Sequence, residues 1–132
     1  MVAFGLVNMA LASDEWGTRV VPVDTRRRVP VELAEGAVVA LALTFRVDEA
    51  VDGLAFEETR RFDGGVVGTT RTVLGGFRAG GPYEVRLPPE RLPIGRASHG
   101  TYEVTGRFVD GAGREYAREV HRFRIVPSEK WV

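Results

Sequence analysis

Residues 35–47 read Glu35-Gly36-Ala37-Val38-Val39-Ala40-Leu41-Ala42-Leu43-Thr44-Phe45-Arg46-Val47. Val39, Leu41, Leu43, Phe45 and Val47 alternate with Ala40, Ala42, Thr44 and Arg46. Alternation over this length specifies a β-strand with one buried face, because successive side chains leave extended backbone on opposite sides. The same period recurs downstream. Tyr102, Val104, Gly106 and Phe108 alternate with Thr101, Glu103, Thr105 and Arg107, and His121, Phe123 and Ile125 alternate with Arg122 and Arg124. Each set reads as the inner face of a further strand.

The rest of the chain fits that frame. Glycine and proline, 16 and 7 residues, interrupt it at short intervals, and no window holds a 3.6-residue apolar period. Short alternating segments with regular turn signals predict an all-β sandwich or barrel. The predicted strands are 2–11, 19–23, 29–34, 37–47, 54–62, 66–75, 83–87, 100–109 and 115–126. Asp63-Gly64-Gly65 and Asp110-Gly111-Ala112-Gly113 supply residues that tolerate the positive φ of tight hairpins. Pro88-Pro89 and Pro93 make a rigid connection, since proline lacks the donor that a strand ladder needs. The polar stretch 14–28, with Arg26-Arg27-Arg28, is expected to be a loop or a sheet edge. Without a repeat, a low-complexity tract or a linker, 1–132 reads as a single domain.

Composition narrows the function classes. A chain of 132 residues with 44% apolar content can fill one core without metal or disulfide staples. There is no cysteine, and the 18 basic and 18 acidic residues cancel. A nucleic-acid partner is therefore not expected, since such binders carry a basic excess. The apolar runs are too short to span a membrane, and the first residues lack the basic start of a signal peptide. A cytoplasmic location follows as an expectation. Lys130 is the only lysine among many arginines, a bias that fits a GC-rich, bacterial genome.

Catalytic and metal chemistry find little support. His99 and His121 are the only imidazoles and lack ligand spacing toward each other or toward carboxylates. Ser98 and His99 are adjacent, so in extended chain they point apart and cannot act as nucleophile and base. Glu57-Glu58 reads as a solvated strand edge, and Arg26-Arg27-Arg28 as a solvated run. Gly64-Gly65-Val66-Val67-Gly68 sits in a hairpin without the following helix of a phosphate site. No metal, cofactor or enzymatic activity is expected. Trp16 and Trp131 stand near opposite ends, so no aromatic platform for a carbohydrate is evident.

A series of landmarks follows the opening strand: Val51-Asp52-Gly53-Leu54, Gly75-Gly76-Phe77, Pro82-Tyr83-Glu84-Val85, Leu92-Pro93-Ile94-Gly95, Gly100-Thr101-Tyr102, Arg107-Phe108-Val109-Asp110 and Glu129-Lys130-Trp131. In their order and spacing they resemble the C-terminal immunoglobulin-like domain of Rho GDP-dissociation inhibitors. The resemblance implies an immunoglobulin-like β-sandwich of two antiparallel sheets with about nine strands. It implies a non-enzymatic carrier whose sheets splay around the prenyl chain of a Rho-type small GTPase. Carried over by position, the lipid slot would involve Val31, Val39, Leu41, Val51, Leu54, Ala97, Val104, His121 and Phe123. His121 and Phe123 replace a Trp-x-Trp pair of the family, and Gly106 and Ala97 leave room nearby. The family's acidic GTPase-facing surface is reduced here to Asp110. Its N-terminal regulatory arm has no counterpart before the first strand, so chain carriage is expected without GDP-dissociation inhibition. The alternative is a protein-interaction sandwich with a filled core and no lipid, working through an edge strand or the arginine-rich loop.

Overall fold

Strand β4 (Val38–Val47) carries the deciding alternation into the core: Val39, Leu41, Leu43, Phe45 and Val47 are all buried. The computed structural model describes residues 4–14, 17–21 and 30–128. The other strands are β1 (Phe4–Ser13), β2 (Gly17–Val21), β3 (Val31–Ala34), β5 (Val51–Phe62), β6 (Gly65–Phe77), β7 (Gly80–Arg86), β8 (Glu90–Arg91), β9 (Gly100–Val109) and β10 (Glu115–Val126). One sheet runs β2-β1-β4-β7, with β8 also on β4, and the other runs β3-β10-β9-β5-β6. The arginine triplet, Trp16 and Trp131 lie outside the described residues.

One feature departs from two purely antiparallel sheets. Strand β3 pairs parallel with β10, Val31 opposite Phe123 and Leu33 opposite Ile125. Hairpin chemistry predicts antiparallel partners only for strands joined by short turns within one sheet. Here β3 leaves its sheet through Glu35-Gly36 and enters the other as β4, so its direction is set by that crossing. Gly36 makes the crossing with a φ of 75°, a conformation that glycine adopts without steric cost.

Sheet crossing and chain end are tied together by one acid. The buried Glu35 carboxylate accepts the backbone N–H of Gly95 at 2.9 Å and of Ser128 at 3.2 Å, and faces His99 Nε2 at 2.9 Å. These hydrogen bonds hold the Glu35 carboxyl below its ordinary range, with the Gly95 bond the largest cause. Ser98 donates its hydroxyl to Gly95 O at 2.7 Å, so neither it nor His99 is placed to activate the other.

The core separates into two clusters. One gathers Met9, Leu41, Leu43, Phe45, Val47, Phe56 and Phe108; the other gathers Leu33, Val39, Leu92, Tyr102, Val104, Phe123 and Ile125. Leu11 packs against both. The seam between them is where the site lies.

Candidate functional site

The seam follows from the inner face of three paired strands, read row by row across β5, β9 and β10. Phe62, Tyr102 and Phe123 form one row, and Arg60, Val104 and His121 the next. Glu58, Gly106 and Glu119 follow, and then Phe56, Phe108 and Ala117. Two rows bearing charged or imidazole side chains are thus enclosed between aromatic rows. In the outer aromatic row the rings stack: Phe62 on Tyr102 at 4.2 Å and Tyr102 on Phe123 at 5.0 Å.

Among the described residues, every polar group in these rows except Glu58 has a close partner. His121 Nδ1 lies 3.0 and 3.1 Å from the two Glu119 carboxylate oxygens, both side chains being nearly buried. Arg60 donates to Glu90 from both terminal nitrogens, Nη2 to Oε1 at 2.7 Å and Nη1 to Oε2 at 3.2 Å. Its guanidinium carbon also stands 5.2 Å from the centre of the Phe123 ring. The Glu58 carboxyl is pushed above its ordinary range, mainly by burial, against the pull of the nearby Arg60 charge.

Against these rows the other sheet sets Leu11, Val39, Leu41 and Leu87, and between them lies a void of about 50 Å³. That is room for a few waters. Val31, Val39, Leu41, Val104, His121 and Phe123 all line it, together with Leu33, Glu58, Arg60 and Glu90. A second, larger hollow of about 460 Å³ adjoins it, walled by Thr70 and Thr72 of β6, Pro88 and Pro89, Tyr102, Phe123 and Ile125. Glu58, Arg60, Leu87, Pro88, Glu90 and Phe123 border both spaces.

Three of the residues expected at a slot stand elsewhere. Val51 and Leu54 are buried in the cluster around Phe45 and Phe108 and do not line the void. Ala97 is exposed in a 3-10 turn, Arg96–Ser98, and lines neither space. Gly106 does not open a cavity either. A Cβ built on it would come within 2.6 Å of Glu119 Oε1 and 2.7 Å of Phe56 Cε1, so those side chains already fill the place.

Sequence reasoning missed Glu58 and Arg60. Strand β5 is flanked by β6 and β9, so Glu57-Glu58 is not a sheet edge. Glu57 points outward and meets Arg107 at 3.2 Å and Arg71 at 3.4 Å, whereas Glu58 turns inward. The available signal was Phe56-x-Glu58-x-Arg60-x-Phe62, in which two aromatic residues fix the inner parity. Asp110, the remnant of an acidic surface, is engaged in its own hairpin. It accepts from Ala112 N and Arg114 N at 2.9 Å and from Tyr116 Oη at 2.8 Å.

Among the described residues no group of His, Cys, Asp and Glu is arranged to hold a metal, and no helix is long and apolar enough to cross a membrane.

Comparison with known proteins follows the same lines. Residues 5–127 match the family described as RHO protein GDP dissociation inhibitor. A Rho GDP-dissociation inhibitor of Schizosaccharomyces pombe (strain 972 / ATCC 24843) is 33% identical over 110 residues, covering 82% of this chain and 54% of that protein. The chain thus spans about half the length of that relative. Among solved structures, the crystal structure of the C-terminal domain of wzt superposes with a TM-score of 0.72 over 97% of this chain and 76% of that one. At 9% identity that likeness is one of fold alone.

Proposed function

The chain belongs to the Rho GDP-dissociation inhibitor family, and from that premise we propose that it is a carrier that takes a prenyl or acyl chain between its two sheets. The observation that carries the reading is convergence: Val31, Val39, Leu41, Val104, His121 and Phe123, drawn from strands of both sheets, meet around one inter-sheet void. The client that presents the chain is a small GTPase of the Rho type, met in the cytoplasm. The proposal concerns chain carriage. GDP-dissociation inhibition is the named activity of a relative of which this chain spans about half.

The energetics are adequate. Burying about fifteen to twenty chain carbons at about 0.8 kcal/mol each gives more than 10 kcal/mol before ordering costs. A single chain of this kind anchors only marginally to a bilayer, so a protein slot of matching apolarity can compete for it. The void alone is too small for such a chain, and the adjoining hollow falls within the usual range for ligand sites. Uptake therefore requires the two spaces to join.

Native mass spectrometry with S-farnesyl- and S-geranylgeranylcysteine methyl esters tests the reading. A one-to-one adduct is expected, and Val104→Trp should remove it by filling the void. Thr70→Trp places the same bulk in the outer hollow from an exposed position and should weaken the adduct without a cost to the core. Absence of an adduct with either ester contradicts the proposal.

One observation favours a second reading. Strand β6 ends its sheet, and its 13 residues include the exposed Val66, Val67 and Val73. Such an edge can take an added strand from a partner. A folded protein that binds no lipid but pairs a partner peptide along β6 would support that alternative.

A further inference from the structure

Arg60 belongs to β5 of one sheet, and Glu90 to β8, which pairs with β4 of the other. Their forked contact therefore joins the two sheets. It does so at a specific place, since both residues border the inner void and the outer hollow. Phe123, the ring beneath the guanidinium, also borders both. The ion pair is part of the wall between a space too small for a chain and one large enough to begin accepting it.

We propose that the Arg60–Glu90 pair is a latch that keeps the inter-sheet slot shut, and that its release joins the two spaces to admit a lipid chain. The inference rests on the chain-carrier reading and adds the regulation of that site.

The segment bearing Glu90 is a short span held between two backbone pins. Strand β8 has only two residues, opposite Val38 and Val39. Its flanks are pinned by Leu87 N–H to Leu41 O at 2.8 Å and Leu92 N–H to Ala37 O at 2.9 Å, with both leucines buried. Pro88 and Pro89 lie between these pins, where proline supplies no donor to the sheet. The Glu90 side chain is 47% exposed and that of Arg60 23%. Ion pairs of such exposure are weak and are screened by salt, so this one can close a slot without sealing it. When Glu90 swings away, Arg60 keeps the Phe123 face and the nearby Glu58 charge, so the cation is not left without company. His121 also lines the inner void and stays paired with Glu119.

Stopped-flow fluorescence with the uncharged N-dansyl-S-farnesylcysteine methyl ester reads the latch directly. Glu90→Gln and Arg60→Met should take up the probe on the order of fivefold faster than the native protein, as expected for loss of one partly exposed pair. Raising the salt concentration should speed the native protein and leave both variants unchanged. Circular dichroism verifies the fold, and Glu90→Gln, a surface change of the same shape, carries the test if Arg60→Met does not fold. Saturable brightening at equal rates in all proteins would overturn the latch and leave the carrier reading intact. No brightening in any of them would overturn both.

Discussion

His121 Nδ1 lies 3.0 Å from Glu119 Oε2 inside the sandwich. The imidazole thus does two things: it lines the void and partners a carboxylate that is almost wholly buried. Loss of one partner from a buried polar pair exposes the full desolvation cost of the other.

His121→Leu should therefore destabilise the fold by about 1–3 kcal/mol, although leucine is the more apolar residue. Adding Glu119→Gln should recover part of that loss. Urea melts of the two single variants and the double variant check it: a clearly non-additive result is expected, and additivity would mean that the two groups do not depend on each other.

Glu58 predicts a gain rather than a loss. Burial raises its carboxyl above the ordinary value of 4.5, so folding penalises the charged form. For a raised group, the favourable contribution is present below the unfolded value and is lost as pH rises through the folded one. Glu58→Gln should stabilise the protein at neutral pH by on the order of 1 kcal/mol, and the gain should vanish below 4.5. Thermal melts across that range would show it.

Glu35 carries the opposite sign. Its carboxyl is lowered by the Gly95 N–H first, and then by His99 and Ser128. Its contribution is therefore present above the ordinary value of 4.5 and is lost as pH falls through the lower folded value. Glu35→Gln should lower the melting temperature at neutral pH, and the gap should close in acid. The amides of Gly95 and Ser128, which donate to this carboxylate, should exchange faster with deuterium in the variant.

The sequence made much of this legible where one parity runs unbroken. In β4 and β9 the alternation is continuous, and every expected inner residue from Val39 to Val47 and from Tyr102 to Phe108 is buried. Strand β5 defeats the same reading. Leu54, Ala55 and Phe56 are buried in succession, and the pairing register shifts beside them. Val51 and Leu54 are both buried at opposite parity, across a register shift. The pair therefore gives no single phase from which Glu58 and Arg60 could be read as inward. The parallel partnership of β3 was also hidden, because it depends on a crossing between sheets rather than on any turn. Ala97 was placed by resemblance alone, and the Pro93-Ile94-Gly95 stretch before it leads into an exposed turn.

The central claim is that a lipid chain enters at the seam between the two core clusters. Isotope-edited NMR of methyl-labelled protein with S-farnesylcysteine methyl ester tests it most directly. The account predicts intermolecular contacts from the methyls of Val39, Leu41 and Val104, which line the void, and none from Val51 and Leu54, which do not. Contacts from Val51 and Leu54 instead, or saturation with ligand and no contact from the seam, would contradict it.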